Sequence, residues 1–86
     1  MKIIHSTRFD RSLKKLPKKV VKAFKEKIIL LDKSNFTHPS WRVKKIKGTA
    51  YIWETSIGMD HRFTFEKIKN GIKLRVIGKH KIIEKP

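Results

Sequence analysis

One set of residues in the second half of the chain has the side chains needed to cut a phosphodiester. An imidazole can give or take a proton near neutral pH, and a carboxylate can accept one. Guanidinium and ammonium groups can neutralise a phosphate and stabilise the phosphorane formed during cleavage. The set comprises His80, Glu54, Arg62, Arg75 and a lysine cluster made of Lys44, Lys45 and Lys47. Such residues, brought together, could cleave RNA without a metal ion.

Each of the three residues with the most direct chemistry also has a structural interpretation. His80 follows the last predicted strand, and it is either a catalytic acid or base or a surface histidine in a short basic tail. Arg62 alternates with Phe63 on a predicted strand, so its side chain points away from the core, either to bind phosphate or to be solvated. Glu54 stands among cations, and it is either a general base or a cross-strand partner that holds Arg62 or Lys45 in place.

Residues near two predicted turns are further candidates for contact with phosphate. Asp60 lies in a predicted hairpin loop, as a functional carboxylate or as a residue chosen for the turn. His61 falls on the core side of the next strand with Phe63, which favours a bystander over a catalyst. The lysine cluster precedes Gly48, and its density favours phosphate binding over a solvated turn. Arg75, on the last predicted strand, adds a further cation.

Composition points to a polyanionic partner. The chain has a formal charge of +16 on 86 residues, with 23 Lys and Arg against 7 Asp and Glu. A small protein with this charge is attracted to nucleic acid. Because 38% of the residues are hydrophobic, we expect a folded domain rather than a disordered basic tail.

Several classes of site and location are disfavoured by the sequence. It contains no cysteine, and its four histidines (His5, His38, His61 and His80) are scattered without ligand spacing, so we expect no metal site and no cofactor. No apolar run is long enough to cross a membrane, and the early residues are charged, unlike a signal peptide. These features predict a cytoplasmic protein.

The hydrophobic pattern changes from helical to alternating near the middle of the chain. A strand at Lys2–His5 is followed by a helix capped at Ser6 or Thr7 and ended by Pro17, and a second helix runs to about Leu31. A loop is predicted at 32–40. Beyond it, strands are predicted near 41–46, 51–57, 62–66 and 74–77, with hairpin turns at 58–60 and Asn70-Gly71.

The predicted fold is α+β, with one domain spanning residues 1–86. A short N-terminal strand and two helices pack on one face of a three- to four-stranded antiparallel sheet, and the other face stays open and positively charged. The predicted core contains Phe9, Leu13, Phe24, Ile28, Trp53, Phe63 and Phe65.

The chain resembles the RelE/ParE superfamily of toxins from type II toxin–antitoxin systems along essentially its whole length. Four segments carry the resemblance: Ser6–Pro17 with its Phe and Leu spacing, Lys44–Gly48, the hairpin Trp53–Phe65, and Ile77-Gly78-Lys79-His80. The resemblance implies a RelE-like fold. It also places His80 where relatives have a catalytic histidine or arginine, and Arg62 at the arginine of the family's central strand.

Comparison with the YafQ-like branch of the superfamily points to two more site positions, and related toxins have one feature that this chain lacks. Lys44 falls where that branch has an active-site histidine, and Asp60 falls where it has a functional aspartate. Related toxins often carry an aromatic residue shortly after the terminal histidine or arginine, whereas residues 81–86 contain none.

The resemblance implies a metal-independent endoribonuclease that cleaves mRNA in the ribosomal A site and inhibits translation. Its partners would be mRNA, ribosomal RNA and an acidic cognate antitoxin, and both a homodimer and a toxin–antitoxin hetero-oligomer agree with the sequence. Two alternatives stay open: a ParE-like inhibitor of DNA gyrase, which would not need His80, and a catalytically inactive nucleic-acid-binding protein of the same fold, which the missing aromatic favours.

Overall fold

The computed structural model describes residues 2–34 and 43–86 and has the predicted α+β architecture. The elements are β1 (Lys2–His5), α1 (Thr7–Lys14), α2 (Lys18–Ser34), β2 (Lys44–Lys45), β3 (Ile52–Ile57), β4 (His61–Ile68), β5 (Gly71–Lys79) and a 3-10 helix (His80–Glu84). Neither described helix has the length and apolar character needed to cross a bilayer.

The strand count and the pairing differ from the prediction. The described strands form one five-stranded sheet in the order β1-β5-β4-β3-β2, in which β1 runs parallel to β5 and the other neighbours are antiparallel. A three- to four-stranded antiparallel meander was predicted; the structure has four antiparallel strands, and β1 joins them as a fifth, parallel strand. Alternating hydrophobicity shows that a segment is a strand without showing which edge it pairs with.

The predicted start of α1 agrees with the structure better than the predicted end of α2 does. The Ser6 side chain accepts a hydrogen bond from the Phe9 amide at 3.0 Å and so caps α1. The second helix continues past Leu31 to Ser34, so the predicted loop begins later than expected. The remainder of that loop, together with His38 and Trp41, lies outside the described residues.

The core lies between the helices and one face of the sheet. Its buried cluster contains Phe9, Phe24, Leu31, Ile57, Phe63, Phe65, Ile72, Leu74 and Ile77. Leu13, Ile28 and Trp53, which were predicted to be buried, pack against the cluster while partly exposed. The last strand therefore supplies more of the core than the sequence indicated.

One glycine allows β1 to lie close to β5. The predicted turn at Asn70-Gly71 is displaced by one residue, because Asn70 has the positive φ of 63° and Gly71 already pairs with Ile68 and Lys2. A Cβ atom at Gly71 would lie 1.8 Å from the main-chain oxygen of Lys2. Gly71 thus serves the parallel pairing rather than the turn.

Helix α1 covers the part of β5 that extends beyond β1. Ser6 Oγ donates to the main-chain oxygen of Arg75 at 3.0 Å, and the Ile77 amide donates to Ser12 Oγ at 3.1 Å. These bonds satisfy main-chain groups that would otherwise be left at an open sheet edge.

The outer face, meaning the sheet face opposite the helices, is less open than predicted. Glu54, Thr64 and Val76 point to this face in paired positions of three strands, and each is at most 6% exposed. The 3-10 helix packs against β4 and β5 and covers part of the face. The sequence pattern did not show that the tail folds back onto the sheet.

Candidate functional site

A buried carboxylate and an arginine form the centre of the outer face. Glu54 on β3 and Arg62 on β4 both point away from the helices because of the two-residue alternation of the strands. Arg62 Nη1 donates to Glu54 Oε1 at 2.7 Å, and the two side chains are 27% and 4% exposed. This is a short, charge-assisted hydrogen bond, and it fixes the Arg62 guanidinium.

The lysine cluster borders the same pair. Lys44 is opposite Glu54 in the β2–β3 pairing, and its Nζ lies 3.9 Å from Glu54 Oε1. The Lys44 side chain is 65% exposed, so this contact is weak and its charge is available to a ligand. Lys45 is paired with Trp53, one position along the strand from the Lys44–Glu54 pair.

The structure brings His80 into this neighbourhood. A depression of about 410 Å³ is lined by Lys44, Lys45, Ile46, Lys47, Glu54 and His80. His80 begins the 3-10 helix directly after β5, and it is exposed. Residues that are far apart in the sequence therefore surround one space that carries an imidazole, a carboxylate and several ammonium groups.

Two neighbouring depressions extend this space along the hairpin between β3 and β4. One is lined by Lys44, Ser56, Gly58, Met59 and Arg62, and the other by Met59, Asp60, Lys79, His80 and Lys81. These three depressions share Lys44, Met59 or His80 in their linings and so lie side by side, and together they are called the groove below. Met59 and Ser56 were not predicted as site residues. Met59 is 99% exposed, and no hydrophobic pattern in the sequence indicates that it lies beside the site.

Three predicted site residues lie apart from the Glu54–Arg62 pair. Asp60 is exposed at the hairpin turn, and it lines the same depression as His80 at one end of the groove. His61 instead lines a depression between the hairpin and α2, as its alternation with Arg62 indicated. Arg75 reaches Glu66 through an ion pair of 3.0 Å and the Pro86 main-chain oxygen through Nε at 2.9 Å.

Among residues 2–34 and 43–86, no three His, Asp or Glu side chains lie close enough together to hold an ion. The chemistry that the groove offers is proton transfer and neutralisation of anionic charge.

Known structures show the same arrangement of elements. The chain matches a chain of the RelB–RelE antitoxin–toxin complex from Methanococcus jannaschii with a TM-score of 0.77 and 24% identity, over 95% of each chain. It matches the YoeB dimer from Staphylococcus aureus with a TM-score of 0.77 and 21% identity, over 93% of this chain and 97% of the other. The chain has a RelE-like fold. The YafQ mutant H87Q from E. coli matches at a TM-score of 0.79 and 13% identity, over 95% and 96% of the two chains.

Sequence comparison adds nothing to the RelE-like fold. No family model and no curated protein matches the chain. At identities of 24% and below, the solved structures confirm the RelE-like fold that the resemblance implied and nothing beyond the fold.

Proposed function

We propose that this chain is the toxin of a type II toxin–antitoxin pair and a metal-independent endoribonuclease that cleaves mRNA in the ribosomal A site. The observation that carries the proposal is that His80, Glu54 and Lys44 line one depression on the outer face of a RelE-like fold. Arg62, bound to Glu54, stands beside them.

The reaction is attack by a ribose 2′-oxygen on the adjacent phosphorus, with breakage of the bond to the 5′-oxygen. The products are a 2′,3′-cyclic phosphate and a 5′-hydroxyl. One proton leaves the 2′-hydroxyl and one reaches the 5′-oxygen. His80 makes one of these transfers, and water or the ribosome makes the other.

The cations stabilise the charge that develops on the phosphorane. Arg62 presents a planar guanidinium whose orientation is set by Glu54, and Lys44 supplies an exposed ammonium group. Glu54 is 3% exposed, and one of its oxygens is taken by Arg62. Of its two predicted roles, we therefore favour the partner that orients Arg62 over the general base.

The proposed partners follow from the charge. Ribosomal RNA is the polyanion that a protein of formal charge +16 would meet on a translating ribosome. An acidic antitoxin would cover the outer face and offset this charge, and the RelE and YafQ neighbours include structures solved as antitoxin–toxin complexes. We place the protein in the cytoplasm because a translating ribosome is its proposed target.

The test is cleavage of mRNA on programmed ribosomes by the purified chain. Wild type should produce one dominant new 5′ end within the A-site codon, and His80→Ala should reduce the rate at least about 100-fold, the usual contribution of acid–base catalysis. His5→Ala is the matched control, because His5 is an exposed histidine that packs against Phe9 on the helix side. It should cleave like wild type.

Other outcomes would replace the proposal. Equal cleavage by His80→Ala and wild type would remove His80 from the mechanism. Intact mRNA, with inhibition of purified DNA gyrase, would favour the ParE-like alternative, and RNA binding without cleavage would leave a nucleic-acid-binding protein.

A further inference from the structure

The chain after β5 folds back onto the outer face and is held there by side chains from three elements. Thr64 Oγ1 and Arg75 Nε donate to the main-chain oxygen of Pro86 at 3.2 and 2.9 Å. The Arg8 guanidinium, from α1, donates to the main-chain oxygen of Lys85. The 3-10 helix His80–Glu84, called the His80 turn below, lies between these anchors and the end of β5.

Arg75 is well placed to hold this segment. Its Nη1 is 3.0 Å from Glu66 Oε1, and the two side chains are only 27% and 20% exposed. One planar guanidinium thus spans Glu66 and Pro86, which a lysine ammonium cannot do with the same geometry. Thr64 is fully buried, and its other acceptor, the Val76 oxygen, is at the long distance of 3.5 Å. Its hydroxyl therefore depends on Pro86 for a hydrogen bond.

A glycine makes room for the middle of the turn. Gly78 is paired with Arg62, so a side chain at this position would point to the outer face. A Cβ atom there would lie 2.9 Å from Ile82 Cγ2. The absence of that atom lets Ile82 pack directly on the strand.

We propose that Gly78, Thr64 and Arg75 form a seat for the His80 turn, and that Arg75 is a positioning residue for His80 rather than a contact for RNA. The seat holds the chain at Ile82 and at Pro86, and His80 is the first residue of the turn. This inference rests on the proposed nuclease function, because it assigns the seat a purpose in placing the imidazole. The existence of the seat is a separate, measurable property.

Arg75→Lys tests the proposal because it keeps the positive charge but removes the planar group that contacts Glu66 and Pro86 at the same time. Hydrogen exchange of the turn amides should become at least about tenfold faster, as expected for the loss of a charge-assisted hydrogen bond. The single-turnover cleavage rate should fall by a similar factor. The dissociation constant for a non-cleavable 2′-O-methyl RNA should stay within about twofold of wild type, since electrostatic attraction to phosphates is unchanged.

Gly78→Ala provides a second, chemically unrelated variant. It alters no charge and displaces Ile82, so it should show the same combination of faster exchange in the turn, slower cleavage and unchanged RNA affinity. Arg11→Lys is the control for both, because Arg11 is an exposed arginine of α1 outside the seat. It should match wild type in all three measurements.

Two results would overturn the proposal. If Arg75→Lys weakens RNA binding as much as cleavage while the turn keeps its protection, Arg75 contacts RNA. If the turn loosens in either variant and cleavage is unchanged, the seat does not position His80. A wild-type chain that binds RNA without cutting it would remove the nuclease function, and the exchange data would then still decide whether the seat exists.

Discussion

Removing either partner of the Glu54–Arg62 pair should have unequal consequences for stability. Arg62→Met leaves Glu54, whose side chain is 4% exposed, with Lys44 as its ion-pair partner among the described residues, and Lys44 is 3.9 Å away and 65% exposed. Leaving a buried charge without its partner costs about 3–5 kcal/mol. Glu54→Gln leaves Arg62, which is 27% exposed and can be hydrated, so we expect a loss of about 1–2 kcal/mol.

Urea unfolding of the purified variants at one pH and salt concentration measures these free energies. The loss of stability in the double variant should be about 2 kcal/mol smaller than the sum of the two single losses. The reason is that removing Glu54 also removes the buried charge that Arg62→Met leaves without a partner. Equal losses for the two single variants, with an additive double variant, would refute the idea that a buried carboxylate organises the outer face.

Three further variants test other parts of the structure. Gly71→Ala should destabilise the chain by about 3 kcal/mol in thermal unfolding, because the added Cβ meets the Lys2 oxygen; an unchanged melting temperature would show that β1 is not held against β5. Lys44→Gln should slow mRNA cleavage about tenfold while Lys14→Gln, with the same change in charge, should not, and equal rates would leave Lys44 without a role in the site. Burial lowers the pKa of Lys27, so the unfolded chain binds more protons between that lowered pKa and the ordinary lysine value. Stability should therefore rise with pH across this window in wild type more than in Lys27→Met, and parallel pH profiles would contradict the assignment.

Local chemistry in the sequence was enough to place most elements. Ser6 caps α1 as predicted because an N-cap needs only a side-chain oxygen within three residues of a free amide. The outward direction of Arg62 and the inward direction of Phe63 followed from strand alternation alone. These features depend on neighbouring residues, which is the range over which sequence patterns carry information.

Features that depend on distant contacts were missed. The parallel pairing of β1 with β5 joins residues about 70 positions apart, and Gly71 was interpreted as a turn residue because its close contact with Lys2 leaves no local pattern. The tail after His80 looked like a free basic segment, since its anchors, Thr64 and Arg75, are donors from other strands. The depression that unites His80, Glu54 and Lys44 likewise exists only in three dimensions.

The most direct test of the proposed activity is to express the chain in cells and map the 5′ ends of transcripts, with His80→Ala alongside. The account predicts new ends at a fixed position within codons of translated messages in cells with wild type, and their absence in cells with His80→Ala. Intact transcripts in growth-arrested cells, or the same new ends with both proteins, would contradict it.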